Sequence, residues 1–200
     1  MSGSMAPEPI DALDIALRVA AAVEVVGGAY FVGGSLASSL HGEPRATNDI
    51  DIVLSLPAAL SARFCEALGT DFELDPDSLR RALMRAETAN GFFLPYLTKI
   101  DFFGLGREPF DEVEFARRCS VQIRATGERL VVKTAEDSIL RKLWWFRLGG
   151  EVSDRQWRDV IEVLRANVGT LDESHLDSWA GPLAVADLLA RARQQTHPAR

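Results

Sequence analysis

The stretch AYFVGGSLASSLHGEPRATNDIDIVL, residues 29–54, decides the fold. Ala29-Tyr30-Phe31-Val32 is a short apolar run that reads as a buried strand. The Gly33-Gly34 pair that follows can take the positive φ and the close backbone approach that a β-branched residue could not. Ser35 is expected to open a helix with its hydroxyl as N-cap. The free N–H groups of a helix start, with the positive end of its dipole, form a ready anion site, so a phosphate fits there. Asp49-Ile50-Asp51-Ile52-Val53-Leu54 then alternates and turns wholly apolar, as a strand does when it runs from an exposed end into a core. Asp49 and Asp51 therefore share one face, their Cα atoms about 6.5–7 Å apart. Two carboxylates that close are costly to ionise together without a counterion. Magnesium, a hard cation that takes oxygen ligands and keeps waters and phosphates in its other positions, is the natural one. Other phosphate motifs fit worse: no lysine follows the last glycine as in a P-loop, and the three spaced glycines of a dinucleotide fingerprint are missing.

Gly33-Gly34-Ser35 followed, after a helix, by Asp49-Ile50-Asp51 resembles the nucleotidyltransferase signature of the polymerase-beta-like superfamily, a glycine-serine turn ahead of a D-x-D strand. The longer run G-G-S-x-A-x-x-x-H-G-x-x-R-x-T-x-D-I-D-I is similar to that of small bacterial and archaeal enzymes grouped with abortive-infection (AbiE-type) toxin nucleotidyltransferases. The resemblance implies a mixed α/β core and transfer of a nucleoside monophosphate from a nucleoside triphosphate to an acceptor, with release of pyrophosphate. It also implies two magnesium ions and a third acid on a neighbouring strand. Thr98-Lys99-Ile100-Asp101-Phe102-Phe103 again brings a carboxylate to the end of an apolar strand, and Asp101 is expected to be that acid. Lys99, on the same face two residues earlier, either neutralises a phosphate or pairs with Asp101. Arg45, in the loop with His41 and Thr47, is expected to hold a phosphate by a charge-assisted fork, while His41 is expected to cap its helix. Gly34 and Ser35 would hold the triphosphate.

Elsewhere the chain alternates helices with short strands. Residues 8–26 read as a helix with Leu13, Ala16, Leu17 and Ala20 on one face. Helices are expected over 57–68 and 76–85, and Gly91 to Leu97, with its internal Pro95, suits an edge strand or loop. A hairpin is expected over 119–133. At Thr134 the pattern turns helical, and Thr134-Ala135-Glu136-Asp137 resembles a capping box. A soft boundary follows: a nucleotidyltransferase core over 6–133 and a helical region over 134–195 packed on it. On the helix 135–148, Lys142 lies beside the apolar stripe of Ile139, Leu143 and Phe146, and either snorkels outward or reaches substrate phosphates. The next helix buries Trp157, Val160, Ile161 and Leu164. Asp159 lies off that stripe as a partner for Arg155 at i, i+4, or, because the toxin-type relatives carry a lysine on the first helix and an aspartate on the second, as a nucleotide contact. Two further helices are expected over 172–179 and 182–193.

Composition narrows the partners. At 200 residues with 47% hydrophobic and 26% charged, the chain is an ordinary globular one. Its longest apolar segment, Ile15 to Val26, is broken by Arg18 and Glu24, and no secretory pattern precedes it, which points to a cytoplasmic protein without a membrane span. Met1-Ser2-Gly3-Ser4 reads as a leader foreign to the fold, ahead of a native Met5. Two cysteines, Cys65 and Cys119, make neither a disulfide framework nor a zinc cluster. The net charge of −7 argues against a broad nucleic-acid footprint. A transfer RNA end, the acceptor that toxin-type relatives imply, needs few charges, and resistance-type members of the superfamily modify small antibiotics instead. Two other readings stay open: a small-molecule nucleotidyltransferase, and an idle nucleotide-binding module of a toxin-antitoxin pair with an antitoxin protein as partner.

Overall fold

The computed structural model describes residues 10–43, 47 and 49–196. One mixed sheet organises them, built from β1 (Ala29–Val32), β2 (Asp49–Ser55), β3 (Phe72–Glu73), β4 (Thr88–Phe93), β5 (Thr98–Gly104), β6 (Cys119–Gln122) and β7 (Arg129–Val132). Their spatial order is β3-β4-β5-β2-β1-β7-β6. β2 runs parallel to β5 and β1 parallel to β7, while the remaining pairs are antiparallel. The chain is thus mixed α/β, as its sequence implies.

Alternation along the central strands sorts the side chains. Ile50, Ile52 and Leu54 of β2, with Ile100 and Phe102 of β5, are fully buried on one face. Asp49, Asp51, Lys99 and Asp101 take the alternate positions and keep some exposure. The apolar face is covered by α1 (Ala12–Val25), α3 (Ser61–Leu68) and α4 (Pro76–Arg85), which contribute Val19, Val23, Phe64, Leu68, Leu79 and Ala82 to a common core. α4 presses directly on β5, since a Cβ on Gly104 would lie 2.2 Å from the Ala82 carbonyl oxygen. α1 begins with a reciprocal capping box between Asp11 and Asp14. Its buried stripe is Ile15, Ala16, Val19, Ala20 and Val23, whereas Leu13 and Leu17 are only half-buried. The helix is rotated from the expected face because the β-branched Val19 and Val23 dock on the sheet.

Five more helices follow: α2 (Gly34–His41) between β1 and β2, α5 (Pro109–Arg117) ahead of β6, then α6 (Ala135–Leu148), α7 (Asp154–Ala166) and α8 (Glu173–Ala180). A last helix, α9 (Ala186–Thr196), closes the described chain. Around α6 a second apolar cluster forms, with Ile139 and Leu143 at its centre, Val160 and Leu164 from α7, and Phe110 from α5. No helix among the described residues is long and apolar enough to cross a membrane.

Some local expectations are corrected. The segment expected at a sheet edge lies in β4, an interior strand between β3 and β5; it ends at Phe93, so Pro95 falls in the following 3-10 turn and no ladder bond is lost. α9 starts at Ala186 rather than at Pro182, because the chain first turns through Ala184 at φ +55°. At the start of α6, Thr134 Oγ1 accepts from the Asp137 N–H, but the Asp137 carboxylate does not complete a capping box. Fully buried, it accepts instead from the Thr134 hydroxyl at 2.8 Å and lies 2.7 Å from His175 Nε2.

Candidate active site

The site is built where β2 and β5 run side by side. In their parallel register Asp51 stands opposite Asp101 and Asp49 opposite Lys99. Gly33 and Gly34 close it from the β1 side. The Gly33 N–H donates to the Asp51 carbonyl at 2.8 Å. Gly34 adopts φ +54°, and a Cβ there would lie 1.6 Å from Asp51 Oδ2. The turn is therefore moulded against the Asp51 carboxylate, and only glycine fits.

α2 opens at this turn, its N-cap two residues earlier than its sequence suggests. Gly33 is its N-cap, no side chain caps it, and Ser35 lies inside the first turn. The extended Gly33 and the left-handed Gly34 turn the chain before Ser35 is reached, which leaves the hydroxyl too far along to cap. Ser35 Oγ accepts instead from the Arg155 guanidinium of α7 at 2.9 Å. α2 thus keeps uncapped N–H groups beside two carboxylates.

Charge dominates the site. Burial, followed by the negative charge of Asp101, pushes the Asp51 carboxyl above its usual range, against the pull of Lys133 and Lys142. Lys99 Nζ donates to Asp101 Oδ2 at 2.7 Å. That hydrogen bond, reinforced by the charges of Asp101, Asp49 and Asp51, holds the Lys99 ammonium above the ordinary lysine range. The other Asp101 oxygen, Oδ1, is buried and accepts no hydrogen bond.

The C-terminal helices approach through α2. Lys142 of α6 and Asp159 of α7 meet at 2.7 Å, both largely buried. The expected solvated position of Asp159 is corrected by this contact, since Asp159 is only 6% exposed and faces α6. Lys142 neither snorkels to solvent nor points away, and its charge reaches Asp51. Arg45 lies outside the described residues.

Three participants escaped the sequence reading. Lys133, 7% exposed at the end of β7, lays its stem against the glycine turn, with its Cε 3.3 Å from where a Gly33 Cβ would stand. Its ammonium donates to Glu114 Oε1 at 2.9 Å, and Arg141 donates to Glu114 Oε2 at 2.8 Å. Burial pushes the Glu114 carboxyl up, but Lys133 and Arg141 together hold it below its usual range. Glu114 belongs to α5, a helix that the sequence reading passed over although Pro109 stands at its first turn. Arg155, the third, was assigned to its own helix face. His41 is a related correction. Its Nε2 lies 2.6 Å from the Lys133 carbonyl oxygen instead of capping α2, and burial pulls its pKa down.

Among the described residues, no group of three or more His, Cys, Asp and Glu side chains is set closely enough to hold a metal ion by itself. Asp51 and Asp101 still fit a hard cation that brings other ligands: they are adjacent oxygen donors, they repel each other, and one oxygen is buried without a partner. The carboxylate face is separate from a cavity of about 800 Å³ lined by Ile10, Leu13, Leu36, Leu40, Tyr96 and Leu97, which none of the three aspartates borders.

No protein-family model and no curated protein matches the sequence. Solved structures do match. The antibiotic-resistance factor ANT(2'')-Ia in solution superposes with a TM-score of 0.57 at 14% identity, over 94% of this chain and 100% of that one. An antigenic nucleotidyltransferase-like protein from Paracoccidioides brasiliensis gives 0.56 at 15% identity, over 92% and 94%. The lincosamide antibiotic adenylyltransferase LnuA with lincomycin bound gives 0.53 at 11% identity, over 78% and 98%. At these identities the likeness is one of architecture, and the chain has the nucleotidyltransferase fold.

Proposed function

We propose that the protein is a nucleotidyltransferase that moves a nucleoside monophosphate from a nucleoside triphosphate to a hydroxyl of a small molecule, releasing pyrophosphate. The observation that carries this reading is the register of Asp51 against Asp101 beside the Gly33-Gly34 turn. The triphosphate would lie against the first turn of α2, on Gly34, Ser35 and the free N–H groups there. Lys99, Lys142 and Arg45 would supply cations, and Asp159 would hold Lys142 in place. Asp49, Asp51 and Asp101 would hold magnesium. Bound there, magnesium would supply charge stabilisation for the attacking and leaving oxygens. Asp101 would accept the proton of the acceptor hydroxyl, aligned opposite the leaving pyrophosphate.

A small acceptor is supported by the fold neighbours, among them ANT(2'')-Ia in complex with adenylyl-2''-tobramycin, and by the net charge of −7. A transfer RNA end is the second reading, with an antitoxin as partner. Its support is the Lys142–Asp159 contact, since the AbiE-type resemblance expects a lysine and an aspartate on these two helices.

The test is incubation with magnesium and each α-labelled nucleoside triphosphate, with aminoglycosides, lincosamides or bulk transfer RNA as acceptor, for the wild type and Asp51→Asn. Label on a small molecule, absent with Asp51→Asn, supports the proposal. Label on RNA alone moves the assignment to the second reading. Nucleotide binding without transfer in any mixture leaves a binding module and overturns both.

A further inference from the structure

Lys99 occupies an unusual place for a cation. Its ammonium is 2.7 Å from Asp101 Oδ2, its Cα stands opposite Asp49, and the charges of Asp49 and Asp51 act on it as well. It is the cation hydrogen-bonded to Asp101, where Asp51 stands alongside and Asp49 is close enough for its charge to be felt. Lys133 and Lys142 also pull on Asp51, but Lys99 satisfies only one of the two Asp101 oxygens. The lysine side chain is also 43% exposed, on a flexible stem that solvent reaches, so its hold on Asp101 is easily exchanged.

We propose that Lys99 is a stand-in cation: it keeps Asp101 oriented before loading, a divalent ion displaces it, and the freed ammonium then pairs with the phosphates of the incoming nucleotide. The inference rests on the nucleotidyl-transfer reading above. The geometry sets its two halves. A divalent ion between Asp51 and Asp101 would engage the orphaned Oδ1 and bring twice the charge, so Lys99 loses the competition for the carboxylate. A four-carbon stem anchored opposite Asp49, at the exposed end of β2, then has solvent to swing into and phosphates to meet there. A lysine that was only a structural partner of Asp101 would do neither.

The experiment follows manganese binding without nucleotide, by loss of the free-ion electron paramagnetic resonance signal, in the wild type, Lys99→Met and Asp101→Asn. Affinity for ATP in the presence of calcium is then measured by calorimetry, with melting curves to show that each variant is folded. Removing a competing cation should make Lys99→Met bind manganese roughly tenfold more tightly than the wild type, and bind calcium–ATP roughly tenfold more weakly. Asp101→Asn should lose manganese. If Lys99→Met binds manganese no more tightly while Asp101→Asn still loses it, the stand-in role is wrong and the nucleotidyl-transfer reading survives. Unchanged calcium–ATP affinity in Lys99→Met overturns the second half of the exchange. If the wild type binds neither manganese nor ATP, the transfer reading itself falls and this inference with it.

Discussion

Asp51 and Asp101 stand directly opposite each other on adjacent parallel strands, and burial together with the charge of Asp101 raises the Asp51 pKa. Such an arrangement costs the apo fold stability. Asp51 is pushed above its ordinary 3.8, so its ionisation is harder in the folded chain than in the unfolded one. Replacing it by asparagine is expected to raise stability at pH 7 by about 0.5–2 kcal/mol while abolishing transfer. The sign fixes the pH dependence. The advantage is complete above the raised folded pKa and fades as pH falls through it toward 3.8, below which Asp51 is neutral in both states. Calorimetric melting of both proteins from pH 3 to 8 checks it.

Gly34→Ala is expected to abolish nucleotide binding and to lower stability by at least 1 kcal/mol, because the added methyl would meet Asp51 Oδ2 and the backbone sits at φ +54°. Gly127, at φ +103° in the β6–β7 turn with nothing near its Cβ position, is the control. Its alanine variant should lose stability from backbone strain alone and keep nucleotide affinity. Equal loss of affinity in both variants would show that strain, and not the clash at Asp51, governs the site.

Glu114→Gln takes the carboxylate from buried Lys133 and leaves Arg141 with Asp111 as its remaining acid, and is expected to cost roughly 3 kcal/mol at pH 7. The native Glu114 carboxyl lies below its ordinary 4.5, so its contribution is present above that pH and is lost as pH falls through the lower folded pKa. The gap between wild type and variant in urea melts should therefore narrow below about pH 4.5 and stay constant above it.

Lys142→Met and Asp159→Asn each break a largely buried pair. Each single change is expected to cost roughly 3 kcal/mol, and the double variant distinctly less than the sum. Additive costs in denaturant melts would mean the two residues act independently.

Local signals made much of this fold readable. α4 begins where Pro76 places it, α6 begins at Thr134 and ends at Gly149, and the glycine pair and the alternation of β2 locate the carboxylate strand. The limits are physical too. Glu114 and Lys133 are 19 residues apart and meet only because β7 lies beside β1 and α5 packs on α6 through Phe110 and Arg141, so neither carries a sign of the other. α5 has a weak apolar face, with Phe110 its one buried aromatic, and its capping box uses Glu108 and Asp111 in place of the usual serine and glutamate. The N-cap was placed two residues late, at Ser35, because an N-cap is inferred from residue type, whereas the cap here follows from backbone conformation at two glycines. Arg155 and Asp159 were assigned to one helix face by spacing, and tertiary partners on α2 and α6 overrode that weak preference.

The passage from β7 into α6 has a mechanical meaning. The Lys133 N–H reaches the Val32 carbonyl, the Lys133 carbonyl meets the His41 ring, and the Lys133 ammonium is held by Glu114. A single residue is thus riveted to β1, α2 and α5 at once, at the very point where a swivel between sheet and C-terminal helices would have to be. The helices cannot open like a jaw without tearing all three fastenings. The solvent-facing way to the carboxylates runs along β4 instead, where Thr88, Asn90 and Phe92 stand exposed and Asn90 lies opposite Asp101.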